Sequence, residues 1–303
     1  MFNVFLTVIL PIFLVAATGL IVQRWRKLSV APLSQLTFLV LSPALIFHSL
    51  VEQDPPGDIA LRISAVSITI TLAAVVLALA ISRALRHPRD MQSAFLLASV
   101  FPNTGNMGLP IVLLAFGEAG LATAVIILVT QSAIGWSLGI YIAARSNAVG
   151  WSPMVQVFKV PVIYAVAAAF VVLLFNWEIP TTFETPIAML AGAALPAMLL
   201  VMGFQLGSGI NLHQWGSLSM AMLLRLVVAA PMAYGISSAF GLSGVEQQAV
   251  IVSMSMPAAV FTTILASEYG ATPWFVTSAV VTSTLTSLLT LTVLITIVQD
   301  WLA

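Results

Sequence analysis

Residues 101–110 read Phe-Pro-Asn-Thr-Gly-Asn-Met-Gly-Leu-Pro and lie within an otherwise apolar stretch of the chain. Pro102 and Pro110 each lack a backbone donor, and the glycines weaken a helix further. In hydrocarbon, a helix break is tolerated only where it is buried in protein or lines a wet cavity. A second break, Met-Ser-Met-Pro-Ala-Ala at 254–259, lies at the matching place in the other half. Because transporters bind solutes at such midplane breaks, the pattern predicts a solute carrier.

The composition is that of a membrane protein. The 303 residues are 60% hydrophobic and 7% charged, with a mean hydropathy of +1.10. A net charge of zero gives no electrostatic basis for binding nucleic acid. The absence of cysteine excludes disulfides and thiol-ligated metals and fits a bacterial inner-membrane protein, and we expect no metal site or cofactor. The first residues, Met-Phe-Asn, form no basic n-region, so we expect a first membrane span there rather than a signal peptide.

Ten apolar segments are separable, and each is compatible with a membrane-spanning helix. They lack the alternating pattern of barrel strands, so the predicted fold class is an all-α polytopic membrane protein. The predicted spans are roughly 3–22, 32–50, 60–81, 91–116, 121–143, 160–175, 187–206, 217–240, 247–267 and 274–298.

The charges predict the orientation. Eight of the ten basic residues fall on one side of the predicted spans, namely Arg24, Arg26, Lys27, Arg83, Arg86, Arg89, Arg145 and Lys159. The opposite side carries acidic residues, namely Glu52, Asp54, Asp58, Glu118, Glu178, Glu184, Glu246 and Asp300. The positive-inside rule makes the basic side cytoplasmic. We therefore predict a multi-pass protein of the bacterial inner (plasma) membrane with both termini outside the cytoplasm.

The two halves of the chain share a pattern of prolines. Pairs separated by 150 to 155 residues are Pro11 with Pro161, Pro43 with Pro196, and Pro102 with Pro257. Proline is costly inside a helix, which favours an internal repeat over coincidence among apolar residues. Five spans per half is an odd number, so the second half would be inverted relative to the first. The broken helices 4 and 9 would then cross at the midplane, with their half-helix N-termini forming an anion site.

Residues at the breaks are the first candidates for substrate binding. Asn103 and Asn106 could hydrogen-bond a carboxylate, or could only cap the broken helix ends. Thr104 lies between them and also shapes the break. Thr262 and Thr263 follow the second break and could donate hydrogen bonds to the same site.

Other polar residues lie inside predicted spans. Gln131 in span 5 either faces the crossover or makes a buried hydrogen bond between helices. His48 and Gln205, in spans 2 and 7, are further candidates for the solute path. Arg225, deep in span 8, could snorkel to the interface, pair within the bundle, or contact an anion.

The ten-span layout and the motif Pro-Asn-Thr-Gly-Asn-Met-Gly-Leu-Pro at 102–110 resemble the auxin efflux carrier family, in its compact bacterial PIN-like form. The likeness continues through Pro257, Ala-Ser-Glu-Tyr-Gly at 266–270 and the Ser/Thr-rich stretch 278–284. The long central loop of the plant carriers is absent, leaving about 145–159.

The resemblance implies a scaffold of spans 1, 2, 6 and 7 and a mobile domain of spans 3–5 and 8–10. The corresponding boundaries are 1–58 and 153–215 for the scaffold, and 59–152 and 216–303 for the mobile domain. It further implies elevator-type transport of a small organic anion and a homodimer formed through the scaffold helices. Of the site residues, Pro102, Asn103, Asn106 and Pro257 match the family's crossover pattern.

Other functions remain open at this stage. A channel-like facilitator would use the same fold, and a receptor or structural protein would show no solute flux. Gly-Ser-Gly at 207–209 with His213 nearby resembles a hydrolase site, but no paired acid accompanies it, so we predict no enzyme. No Asp or Glu lies at the centre of a predicted span, which leaves sodium or proton coupling undetermined.

Overall fold

The computed structural model describes residues 1–53, 56–145, 161–207, 211 and 213–301. These residues form eleven helices and no strand, so the predicted all-helical class is confirmed. The helices are α1 Phe2–Arg26, α2 Pro32–Gln53, α3 Gly57–Ala84, α4 Arg89–Val100, α5 Thr104–Ala144, α6 Pro161–Leu174, α7 Thr181–Leu206, α8 Trp215–Ala239, α9 Gly244–Met254, α10 Phe261–Tyr269 and α11 Pro273–Trp301.

Among the described residues, seven helices are long and apolar enough to cross a membrane: α1, α2, α3, α5, α7, α8 and α11. Helix α5 has 41 residues, which at 1.5 Å per residue is about twice the thickness of the hydrocarbon core. Gly117 bends it, with φ 69° and ψ −163°, a conformation that glycine adopts without a steric penalty. The bend divides α5 into a part before Gly117 and a part after it.

Both predicted helix breaks are present. Helix α4 ends at Val100 and α5 begins at Thr104, while α9 ends at Met254 and α10 begins at Phe261. The two unwound segments pair with each other as an isolated antiparallel bridge between Pro102 and Ala258. We call these two segments and the helix ends beside them the crossover.

Backbone hydrogen bonds hold the crossover together. The Asn103 N–H donates to the Pro257 carbonyl at 2.8 Å, and the Ala259 N–H donates to the Phe101 carbonyl at 2.9 Å. The Ser283 hydroxyl of α11 accepts the Ala258 N–H at 3.1 Å. Each break therefore supplies hydrogen-bond partners to the other.

Helix packing surrounds this crossover. Helix α1 packs closely on α7, and α2 packs on both α6 and α7. Helices α3, α4, α5, α8, α9 and α11 contact one another around the crossover. The sequence also predicts that loops 51–59 and 207–216 join the scaffold to the mobile domain and act as hinges. Both are described only in part, since 54–55, 208–210 and 212 lie outside the described residues. The same holds for residues 146–160 of the predicted central loop, Lys159 included, and for Ser208 and Gly209 of the Gly-Ser-Gly stretch.

Candidate substrate site at the crossover

A cavity of about 490 Å³ lies between the crossover and helices α2, α6 and α7. Residues from α2, including Ser34, Gln35 and Ser42, line one side, and Gln205 of α7 lines another. The crossover contributes 101–106 and 259–261. The cavity therefore lies where the two groups of helices inferred from the sequence would meet.

Backbone donors from both half-helices line this cavity. The N–H groups of Gly105 and Asn106 at the start of α5, and of Val260 and Phe261 at the start of α10, have no acceptor among the described residues. The first N–H groups of a helix lack intrahelical partners and carry about half a positive charge. Two helix N-termini at one cavity thus provide a partial positive charge and four donors without any charged side chain.

Asn103 adds a side-chain donor. The residue is buried, its N–H bonds to Pro257, and its carbonyl accepts the Gly108 N–H at 3.0 Å. Its side-chain nitrogen Nδ2 is buried and has no partner among the described residues. Because buried amide groups are nearly always hydrogen-bonded, an unpaired buried donor in a residue that lines the cavity makes Asn103 a candidate for ligand contact. Asn106 and Thr104 also line the cavity.

Gln131 lies beside the crossover and is held by a neighbouring helix. Its Nε2 donates to the Thr71 hydroxyl at 2.8 Å, and its Oε1 is buried with no partner among the described residues. The interhelical hydrogen bond expected as an alternative is therefore present, and the residue also lines the cavity. Gln205 also lines the cavity from α7, and its Oε1 is likewise buried with no partner among the described residues.

An aromatic wall borders the polar groups, and the sequence reasoning did not identify it. Trp136 contacts Phe38 at 6.2 Å and Phe261 at 6.1 Å between ring centroids, and Phe261 contacts Phe101 at 5.5 Å. All four rings line the cavity. Gly135 leaves room for the Phe261 ring, since a Cβ there would lie 2.7 Å from it. The sequence feature that could have indicated this wall is the pair Gly135 and Trp136 inside a predicted span.

Other predicted site residues lie outside the cavity lining. Thr262 and Thr263 donate their hydroxyls to the carbonyls of Ala259 at 2.5 Å and Val260 at 2.8 Å. Pro257 accepts the Asn103 N–H, and so forms part of the crossover rather than of the cavity wall. His48 lies 3.5 Å from Glu52 on the same helix and does not line the cavity. Pro102 does line it, next to Asn103.

Arg225 is buried on α8 and does not line the cavity. Its Nη1 donates to the Val100 carbonyl at 2.8 Å, and its Nη2 donates to the Met254 carbonyl. These carbonyls belong to the last residues of α4 and α9. Of the alternatives left open by the sequence, pairing within the bundle is the one observed, and the partners are two helix C-termini. A π-helical turn, Leu224–Val228, carries the arginine.

Comparisons with known proteins bear on the family of this chain. The family model described as "Membrane transport protein" matches residues 4–151 and 148–295. An "uncharacterized transporter" of Methanothermobacter thermautotrophicus is 27% identical over 265 residues, which cover 86% of each chain. An "uncharacterized transporter" of Methanocaldococcus jannaschii is 24% identical over 203 residues, which cover 64% of each chain. The resemblance found in the sequence is therefore confirmed, and the chain belongs to the membrane transport protein family, the auxin efflux carrier-like family of multi-pass membrane proteins.

Proposed function

We propose that this chain is a secondary transporter that carries a small organic anion, a carboxylate, through the cavity at the crossover. The observation that carries the proposal is the convergence of two half-helix N-termini on one cavity, together with the unpaired Asn103 Nδ2. Two helix N-termini contribute about one positive charge in total, which matches one carboxylate. The free N–H groups and the amide would replace the water that the carboxylate loses.

The cavity also fits the organic part of such a substrate. About 490 Å³ is within the range of ligand pockets, roughly 300–1,000 Å³. Polar donors line the crossover side, whereas the rings of Phe38, Trp136 and Phe261 line an adjacent wall. This asymmetry suits a molecule with a charged end and an apolar body.

The proposed architecture is ten spans in two inverted repeats of five. Helix α4 with 104–116 would form span 4, residues 118–144 span 5, and α9 with α10 span 9. The scaffold would comprise 1–58 and 153–215, and the transport domain 59–152 and 216–303. The cavity's position between α2 and α7 on one side and the crossover on the other supports elevator-type movement of the second group against the first.

The membrane orientation belongs to the same proposal. Arg24, Arg26 and Lys27 end α1, Arg83 ends α3, and Arg145 follows α5. If these basic helix ends face the cytoplasm, both termini of the chain lie outside the cytoplasm. The membrane is proposed to be the plasma membrane. The homodimer through the scaffold helices stays a prediction.

The test is a binding screen followed by a flux assay. The melting temperature of the purified protein is measured in the presence of each member of a panel of small mono- and dicarboxylates. A ligand that binds only the folded state raises this temperature. A stabilising anion is then loaded into proteoliposomes, and counterflow of the labelled anion is measured. We expect saturable, competable exchange.

Two results would overturn the proposal. No stabilising carboxylate in the panel would argue against the anion site. Flux that neither saturates nor shows counterflow would favour the channel-like facilitator, because a channel does not couple outward and inward movement.

A further inference from the structure

The Arg225 guanidinium joins the two C-terminal ends of the crossover. It bonds Val100, the last residue of α4, and Met254, the last residue of α9, with a longer contact of 3.5 Å to the Ser99 carbonyl. The N-terminal ends of the same broken helices, at Gly105 and Val260, line the cavity. The arginine therefore contacts the helix C-termini of the crossover, which carry partial negative charge. The cavity is lined by its helix N-termini, which carry partial positive charge.

No carboxylate balances this arginine within the described part of the chain. The close contact between a basic and an acidic side chain found there joins His48 and Glu52, and no group of three or more His, Cys, Asp or Glu residues clusters anywhere in it. A guanidinium buried without compensation is strongly destabilising. Two helix C-termini each carry about half a negative charge, so together they compensate about one positive charge. The geometry therefore balances Arg225 with backbone dipoles alone.

Arg225 changes the net charge of the crossover. Two N-termini and two C-termini cancel, so an anion bound there without Arg225 would leave an uncompensated negative charge inside the membrane. With Arg225 in place, the site carries about one positive charge when empty and is neutral when a monoanion is bound. A carrier without this residue would need a bound cation at the carbonyl ends to achieve the same balance.

We propose that Arg225 is the built-in cation of the crossover, occupying the carbonyl site that a coupling ion would otherwise have to fill. This inference rests on the proposed anion site and deepens it by assigning its charge compensation. Anion binding is then independent of sodium, and monoanions bind better than dianions of similar size. Arg225 is a positioning residue, since it contacts the helix ends and not the cavity.

The first experiment tests the cation site without any substrate. Arg225→Ala removes the guanidinium and leaves a space lined by the Val100 and Met254 carbonyls. We expect its melting temperature to fall and to recover by at least half in millimolar guanidinium chloride, far below denaturing concentrations. The wild type should show no such gain. Arg62→Ala, which removes an exposed arginine of α3, is the matched control and should also show none. A gain equal in both variants, or in neither, overturns the proposal.

The second experiment uses the wild-type protein and does not depend on a variant that folds. The stabilising carboxylate from the screen is titrated in sodium chloride and in choline chloride. Equal affinities are expected, and a tenfold or greater loss in choline overturns the proposal. In Arg225→Gln, affinity should fall at least tenfold in choline and partly recover in sodium, whereas Arg225→Lys should stay sodium-independent. If no carboxylate binds in either salt, the proposed function fails, while guanidinium rescue still decides the cation site.

Discussion

Asn103 combines three tasks at a single position of the chain. Its N–H pairs with one broken helix through Pro257, its carbonyl accepts the Gly108 N–H at the start of α5, and its side-chain nitrogen is buried with no partner among the described residues. The main-chain bonds hold the backbone of Asn103 in place, which would pre-organise its side chain for the proposed ligand. A preformed donor avoids the entropy cost of ordering a flexible side chain on binding.

We expect Asn103→Ala to weaken binding of the carboxylate by roughly tenfold to hundredfold, because a hydrogen bond to a charged group contributes about 1.5–3 kcal/mol. The backbone bonds of the crossover remain, so the melting temperature without ligand should change little. Isothermal titration of wild type and variant measures the loss. Asn3→Ala, at the exposed start of α1, is the control and should bind normally. Unchanged affinity in Asn103→Ala would contradict the assignment of this residue to the site.

At the scale of elements, close approach of backbones shapes the contact between α1 and α7. A Cβ on Gly203 would lie 1.9 Å from the Ala16 carbonyl oxygen, and a Cβ on Gly19 would lie 2.6 Å from the Leu200 carbonyl oxygen. Small residues that allow such approach are the usual basis of helix association in membranes, where no hydrophobic effect drives helices together. These glycines therefore determine how α1 and α7 pack.

Gly203→Ala should destabilise the protein by about 1–3 kcal/mol, because backbone rather than a movable side chain occupies the required space. Thermal unfolding in detergent measures the change. Gly192→Ala, in the same helix, meets no atom within 4 Å and should be neutral or slightly stabilising, since alanine favours helix. Equal behaviour of the two variants would show that the α1–α7 contact is looser than described.

His87 connects the turn between α3 and α4 to α8. Its Nδ1 lies 3.0 Å from the Ser82 hydroxyl and its Nε2 lies 2.9 Å from the Ser217 hydroxyl, with the ring against Phe95. Burial lowers the pKa of His87 below its ordinary value. The folded state therefore favours the neutral ring, and this contribution to stability is complete above the unfolded pKa and is lost as the pH falls below it.

The melting temperature should accordingly drop as the pH is lowered from about 7.5 to about 5.5, across the unfolded histidine pKa near 6.5. His87→Gln, which cannot titrate, should show a smaller drop over the same range. His213→Gln, in the exposed turn before α8, should behave as the wild type does. A drop of the same size in His87→Gln would assign the pH dependence to other groups.

At the scale of the whole molecule, the cavity lies between the two groups of helices that the proposed elevator movement distinguishes. Phe38 of α2 and Trp136 of α5 contact across it, one from each group. Helix α5 carries one end of the crossover, so a movement of its group relative to α2 and α7 would carry the site with it. Tight packing within each group, as between α1 and α7, is compatible with sliding between the groups.

A cross-link between the groups should stop transport. Phe38→Cys with Trp136→Cys, joined by a short bis-methanethiosulfonate reagent that forms a reducible disulfide with each cysteine, should lose at least nine-tenths of its counterflow and regain it on reduction, and the cysteine-free chain gives a clean background. Ala115→Cys with Gln299→Cys joins α5 to α11 within one group, where the Gln299 side chain already bonds the Ala115 carbonyl, and should keep its activity. Full transport by the completely cross-linked Phe38–Trp136 pair would rule out the elevator movement.

The sequence by itself determined the class of the protein and the places of its two helix breaks. Both follow from local chemistry, because apolar runs need a membrane and prolines at 102 and 257 cannot continue a helix whatever surrounds them. The basic residues after the first, third and fifth spans likewise predicted an orientation from composition alone. Asn103 and Gln131 were recognisable as candidates because polar amides are rare inside such runs.

Only the tertiary structure decided which groups meet. The bend at Gly117 requires a backbone with positive φ, which a glycine residue permits but does not require. The aromatic wall joins Phe38, Trp136 and Phe261 from distant segments, and Thr262 and Thr263 turned their hydroxyls to the backbone instead of the cavity. The partners of Arg225 lie about 30 and 125 residues away, and they are carbonyls, a group that every residue possesses. Their availability depends on where two helices end and cross, so no side-chain pattern along the chain could have revealed it.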